Sequence, residues 1–141
     1  MWQALMLVHI LGAVFMGFYG IAPFLAGRLK ASSPAVQEGV ISNMSFANRI
    51  GQVMLIVQFL TGGYMLSQGN EYSVLWMVLS IVVFLAIGAF SGMMGSALKK
   101  SLLSAKGDKS HAGALDKVKT FSTMAFVSYM VIIVLMVYNN I

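Results

Sequence analysis

The 141-residue chain has no cysteine, so a disulfide, a thiolate metal site and a thiol redox centre are all excluded. Charge is scarce: 9% of residues are charged, against about a quarter in a typical soluble domain. Acidic residues are scarcer still, four in all. Proline occurs twice, and no collagen-like or low-complexity tract is present. These shortages argue against disorder and nucleic-acid tails, and they make a soluble globule a poor reading.

What is present is apolar. Hydrophobic residues make up 59% of the chain, and the mean hydropathy is +0.85. Four runs read as spans of a hydrocarbon core of about 30 Å; at ~1.5 Å per residue the second gives roughly 25 Å, slightly short, and flanking Gln52 and Gln68 can snorkel. They fall at about residues 2–25, 50–66, 74–98 and 121–138. The predicted fold class is all-α, a single integral membrane domain with four antiparallel helices. Trp2 enters the first run with no basic residue before it, so this run reads as a retained span rather than a cleaved leader.

The links differ. Ser67–Ser73 is short and forces a hairpin between spans two and three. In the first link, Ser33-Pro34 has the pattern of a helix N-cap followed by proline at the first helical position. Val36, Val40, Ile41 and Met44 then recur at helical spacing, which predicts an amphipathic lead-in running into span two. Gly107-Asp108 marks a turn in the third link. Pro23 should kink or end span one.

All nine Lys and Arg residues lie in or beside the first and third links. The positive-inside rule therefore predicts both termini outside and both long links cytoplasmic, in a bacterial plasma membrane. Tyr72, Trp76, Trp2 and Tyr138 then form an aromatic belt at the outer interface. The basic inner face should attract anionic lipid, and no nucleic-acid partner is implied.

The spans contain no Asp or Glu, which argues against a carboxylate relay, paired-carboxylate catalysis and oxygen-rich metal cages. One ionisable group does lie in a span: His9, about 10 Å below the outer interface. Gln58 and Thr61 of span two, Ser80 of span three and Tyr129 of span four fall near the same depth. If they face inward, they make an outer-half pocket around His9. His9 would serve there as a metal or haem ligand, or as a proton donor to a quinone or small solute. The alternative is a neutral histidine bonded to a neighbouring helix as a packing contact. His111 lies in the basic link on the opposite side, so one chain should not clamp one haem between its two histidines. The twelve methionines are scattered, a pattern closer to packing than to a Cu(I) site.

Small residues suggest close helix contacts. Gly88, Gly92 and Ser96 form a small-xxx-small ladder on span three, for packing within the bundle or for a homo-oligomer or a partner membrane protein.

The run Leu7-Val8-His9-Ile10-Leu11-Gly12-Ala13-Val14-Phe15-Met16-Gly17, with Gly27-Arg28-Leu29 after it, resembles the first span of an uncharacterised family of small bacterial integral membrane proteins. Arg49-Ile50-Gly51-Gln52 and Thr61-Gly62-Gly63-Tyr64-Met65-Leu66 extend the resemblance into span two. Leu75-Trp76-Met77 and the Gly92–Leu98 exit extend it through span three. More distantly, the chain resembles the copper-resistance protein D family and the HemJ-type protoporphyrinogen oxidases. In the HemJ type a first-span histidine is implicated in haem binding, and the resemblance carries that role to His9 alone. That type also has a lysine within a later span, which this chain lacks. The nearest family brings no assigned activity. Three function classes follow: a binding or redox protein around His9, an accessory or oligomeric subunit without chemistry of its own, and a small transporter or channel.

Overall fold

The computed structural model describes residues 2–29, 31–68, 73–107 and 113–138, the side chain of Trp2 excepted. Five helices follow in order: α1 (Trp2–Phe15), α2 (Phe18–Leu29), α3 (Pro34–Gln68), α4 (Val74–Ala105) and α5 (Ala114–Val137). No strand occurs among the described residues. Helices α1 and α2 together make the first apolar span, Gln3–Leu29, and α3, α4 and α5 supply the other three. The all-α membrane bundle expected from the sequence is what forms. Tyr72 of the expected aromatic belt and His111 lie outside the described residues.

Serine 33 starts α3: its carbonyl accepts from Gln37 N at 2.8 Å and its hydroxyl faces Val36 N at 3.5 Å. The lead-in and span two are one helix of 35 residues. At ~1.5 Å per residue it exceeds the hydrocarbon thickness by roughly 20 Å. Helix α4, with 32 residues, also runs past Lys99 and Lys100. The bundle therefore extends beyond the apolar layer at its basic end. There Gln37 Nε2 donates to Leu29 O at 2.7 Å, and Lys106 Nζ lies 4.0 Å from Glu38 Oε1.

Span one is jointed. The sequence places the disturbance at Pro23, yet α2 runs through Pro23 and the break falls at Met16–Gly17. Gly17 N donates to Val14 O at 2.9 Å, the tighter three-residue bond, instead of to Ala13 O. A Cβ on Gly17 would stand 2.8 Å from Val14 O, so only glycine allows this turn. The released Ala13 carbonyl accepts a hydrogen bond from the Tyr129 hydroxyl at 3.0 Å. In lipid, such a carbonyl has no water to turn to, so the tyrosine replaces the lost helical bond.

Below the joint, α2 packs against α5 and α3, while above it α1 packs against α3. The centre is held by a buried polar chain. Tyr19 donates to Asn48 Oδ1 at 3.1 Å, and Asn48 Nδ2 donates to Ser91 O at 3.0 Å. All three residues are almost fully buried. Gly51 makes room: a Cβ there would lie 2.7 Å from the Tyr19 hydroxyl.

Two sequence expectations change here. Trp76 is in the core rather than the belt, 4% exposed, with Nε1 donating to Leu135 O at 2.6 Å. The small-residue ladder splits: a Cβ on Gly88 would meet Leu55 at 3.3 Å, whereas Gly92 and Ser96 are exposed and a Cβ on Gly92 meets nothing.

Gly51→Ala should destabilise the bundle by roughly 1–3 kcal/mol through overpacking on Tyr19. Tyr129→Phe should cost about 0.5–2 kcal/mol by leaving the Ala13 carbonyl unpaired. Gly63→Ala, where a Cβ meets nothing within 4 Å, should be neutral. Unfolding by SDS titration in micelles measures all three, and a Gly63→Ala loss equal to that of Gly51→Ala would contradict the packing account.

Candidate functional site

Helix geometry puts His9 and Gly12 on one face of α1, and Gln58 and Thr61 on one face of α3. The two faces meet. His9 Nδ1 lies 2.8 Å from Thr61 Oγ1, and a Cβ on Gly62 would stand 3.3 Å from His9 Cε1. One turn deeper, a Cβ on Gly12 would stand 2.8 Å from Gln58 Oε1. Glycine on each helix thus lets the partner's polar side chain lie flat between them.

The protonation of this pair follows from hydrogen-bond capacity. Thr61 Oγ1 is also 2.8 Å from Val57 O, a group that can only accept. The single hydroxyl proton is assigned to that carbonyl. His9 Nδ1 then carries a proton and donates to Thr61, and in the neutral ring the lone pair is on Nε2. Such locking of one ring nitrogen is how a protein sets a histidine's tautomer and orientation.

The other expected site residues are distributed. Gln58 is buried on the same helix pair, and its Oε1 has no hydrogen-bond partner among the described residues. Ser80 Oγ, on α4, is likewise buried and unpartnered. Tyr129 is committed to the Ala13 carbonyl and stacks edge-on to Tyr19 at 6.5 Å. So His9 and Thr61, with Gln58 against Gly12, come together on α1 and α3, and Tyr129 reaches the carbonyl of Ala13 next to Gly12. Ser80 forms no hydrogen bond with them. No cluster of three or more His, Asp or Glu suited to a metal occurs among the described residues. The groove lined by Phe18, Ile21, Leu25, Val40, Asn43, Met44 and Ala47 and the depression lined by Asp116, Lys119, Thr120, Thr123 and Met124 do not include His9.

Sequence reasoning missed Tyr19, Asn48 and Ser91. Asn48 precedes Arg49 and reads as a span edge. The available clue was spacing: Asn48, Gly51, Leu55, Gln58 and Thr61 continue one helical stripe at steps of three and four.

Residues 3–140 match the model of a family described as predicted integral membrane protein, DUF2269. The chain belongs to this family. No curated protein and no solved structure matches it. The DUF2269 match spans all four apolar helices, the His9–Thr61 contact and the Tyr19–Asn48–Ser91 chain, and it agrees with the resemblance read from span one.

Replacing Gln58 by Leu should leave the purified protein as stable or raise stability by about 1 kcal/mol, because it removes a buried acceptor without a donor. A loss of that size in the SDS titration would show instead that Oε1 has a bound partner in the membrane.

Proposed function

We propose that this DUF2269 protein is a membrane-embedded binding protein whose site is built around His9. The ligand class is a flat apolar group with one atom to ligate or hydrogen-bond, haem or a quinone. The supporting observation is the His9–Thr61 pair at 2.8 Å, which frees Nε2 in the apolar layer. A neutral imidazole nitrogen is a good iron ligand and an equally good acceptor for a quinol hydroxyl. Haem, when bound, would supply one-electron chemistry. Gln58 Oε1 is the second unpaired acceptor on the same helix pair. Met6 on α1 and Met65 on α3 fall one turn further out, in register with each other, and offer thioethers to a metal. Orientation is part of this proposal: the basic links face the cytoplasm, so His9 lies in the outer half of a bacterial plasma membrane and the basic face meets anionic lipid.

A second reading rests on α4. Gly92 and Ser96 form an exposed small-residue strip, the surface that a second copy or an accessory partner helix would use. Gly92→Leu would then lower the oligomer size on native gels while leaving the His9 site unchanged.

The test is an absorption spectrum of gently purified protein from haem-replete cells, oxidised and then reduced. A Soret band that is lost in His9→Ala is the expected result for haem. A featureless spectrum, together with no quinone in the lipid extract, would overturn the binding reading.

A further inference from the structure

A groove of about 290 Å³ runs between α2 and α3 in the basic half of the bundle. Phe18, Ile21 and Leu25 of α2 face Val40, Met44 and Ala47 of α3, and Asn43 is the one polar residue in its wall. The chain is an integral membrane protein, so what fills an open apolar groove on its side is drawn first from lipid.

The polarity along the groove is ordered. Phe18, Ile21, Leu25 and Arg28 follow at steps of three, four and three, so they share one ridge of α2. Arg28 therefore stands at the basic mouth. It is exposed and makes no ion pair among the described residues. The Gln37–Leu29 bond sets the register of the two antiparallel helices at this end. From it, Asn43 falls about five residues inward of Arg28, or roughly 7–8 Å. Its amide is exposed to the groove and has no hydrogen-bond partner among the described residues. Beyond Asn43 the wall is apolar to Phe18. A glycerophospholipid presents the same order from water inward: phosphate, ester carbonyls, acyl chain.

Charge selects the headgroup. Lys99, Lys100, Lys106, Lys117 and Lys119 share this end of the bundle with Arg28. The nearby carboxylate Glu38 faces Lys106. Arg49 lies on the opposite side of α3 from Ala47 by helical arithmetic. The resulting positive field disfavours a headgroup that carries its own cation and favours one with net negative charge.

We propose that the α2–α3 groove binds one anionic glycerophospholipid. Arg28 pairs with the phosphate, the Asn43 amide donates to an ester carbonyl, and an acyl chain lies against Leu25, Met44, Ile21 and Phe18. This site is separate from His9 and does not depend on a ligand there.

The test is native mass spectrometry of protein released from vesicles containing equal amounts of phosphatidylglycerol and phosphatidylcholine with identical chains. Wild type should retain one phosphatidylglycerol in preference to phosphatidylcholine. Arg28→Gln should lower that retention roughly tenfold, the effect of losing one charge-assisted contact. Ala47→Phe, which fills the groove, should lower it as well, Lys117→Gln, which only weakens the general field, should lower it far less than Arg28→Gln, and His9→Ala should leave it unchanged. Three results would overturn the site: equal retention of the two lipids, equal loss in Lys117→Gln and Arg28→Gln, or wild-type retention in both Arg28→Gln and Ala47→Phe. Loss of a Soret band in His9→Ala with lipid retention intact would separate the two sites.

Discussion

The structure depends on one requirement: inside the bilayer, every backbone donor and acceptor must be satisfied by the protein itself. Three spans meet it with unbroken helices. Span one does not, because Gly17 turns too tightly to reach Ala13 O. Tyr129 then becomes obligatory, and with it the position of α5 against the joint. The edge contact of Tyr129 with Tyr19, the Tyr19–Asn48 bond and the glycine at position 51 follow in turn. One interrupted helical bond thus sets the packing of three of the four spans.

The His9 pair sits above this joint, where span one leans on α3. The placement has a physical logic. Below the joint, buried polar groups are matched to one another from Tyr19 through Asn48 to the Ser91 carbonyl. Above it, Gln58 Oε1 and Ser80 Oγ are buried without a partner. Unpaired buried acceptors are rare in native proteins because each is costly. Two of the three such side-chain atoms among the described residues, Gln58 Oε1 and Ser80 Oγ, lie in the half that contains His9, and the third, Ser101 Oγ, lies at the basic end.

Much of the fold was legible because hydropathy and length decide what can span a bilayer. The pairing of α3 with α4 across a short link, whose residues 69–72 lie outside the described residues, and the lead-in helix from Ser33-Pro34 were legible for the same local reasons, loop length and capping chemistry. The joint was not, because proline is the residue that sequence reasoning blames, whereas here a glycine permits a turn that any Cβ would block. Trp76 was misread since an aromatic residue near a span end fits a belt equally well from composition, and only the Leu135 carbonyl opposite it explains the inward rotamer. For the site, His9 and Thr61 shared a depth in the sequence and share a hydrogen bond in the structure. Ser80 shared the depth without joining them by a hydrogen bond, since depth carries no information about which way a helix faces.

The joint has a mechanical consequence. Helices α3 and α4 are continuous rods longer than the hydrocarbon layer is thick, so they meet a change in its thickness by tilting or by the length that extends past it. Span one can instead bend at Met16–Gly17. Changes in lipid thickness would thus fall on the angle between α1 and α2, and the His9 end of the molecule would register the state of the surrounding bilayer.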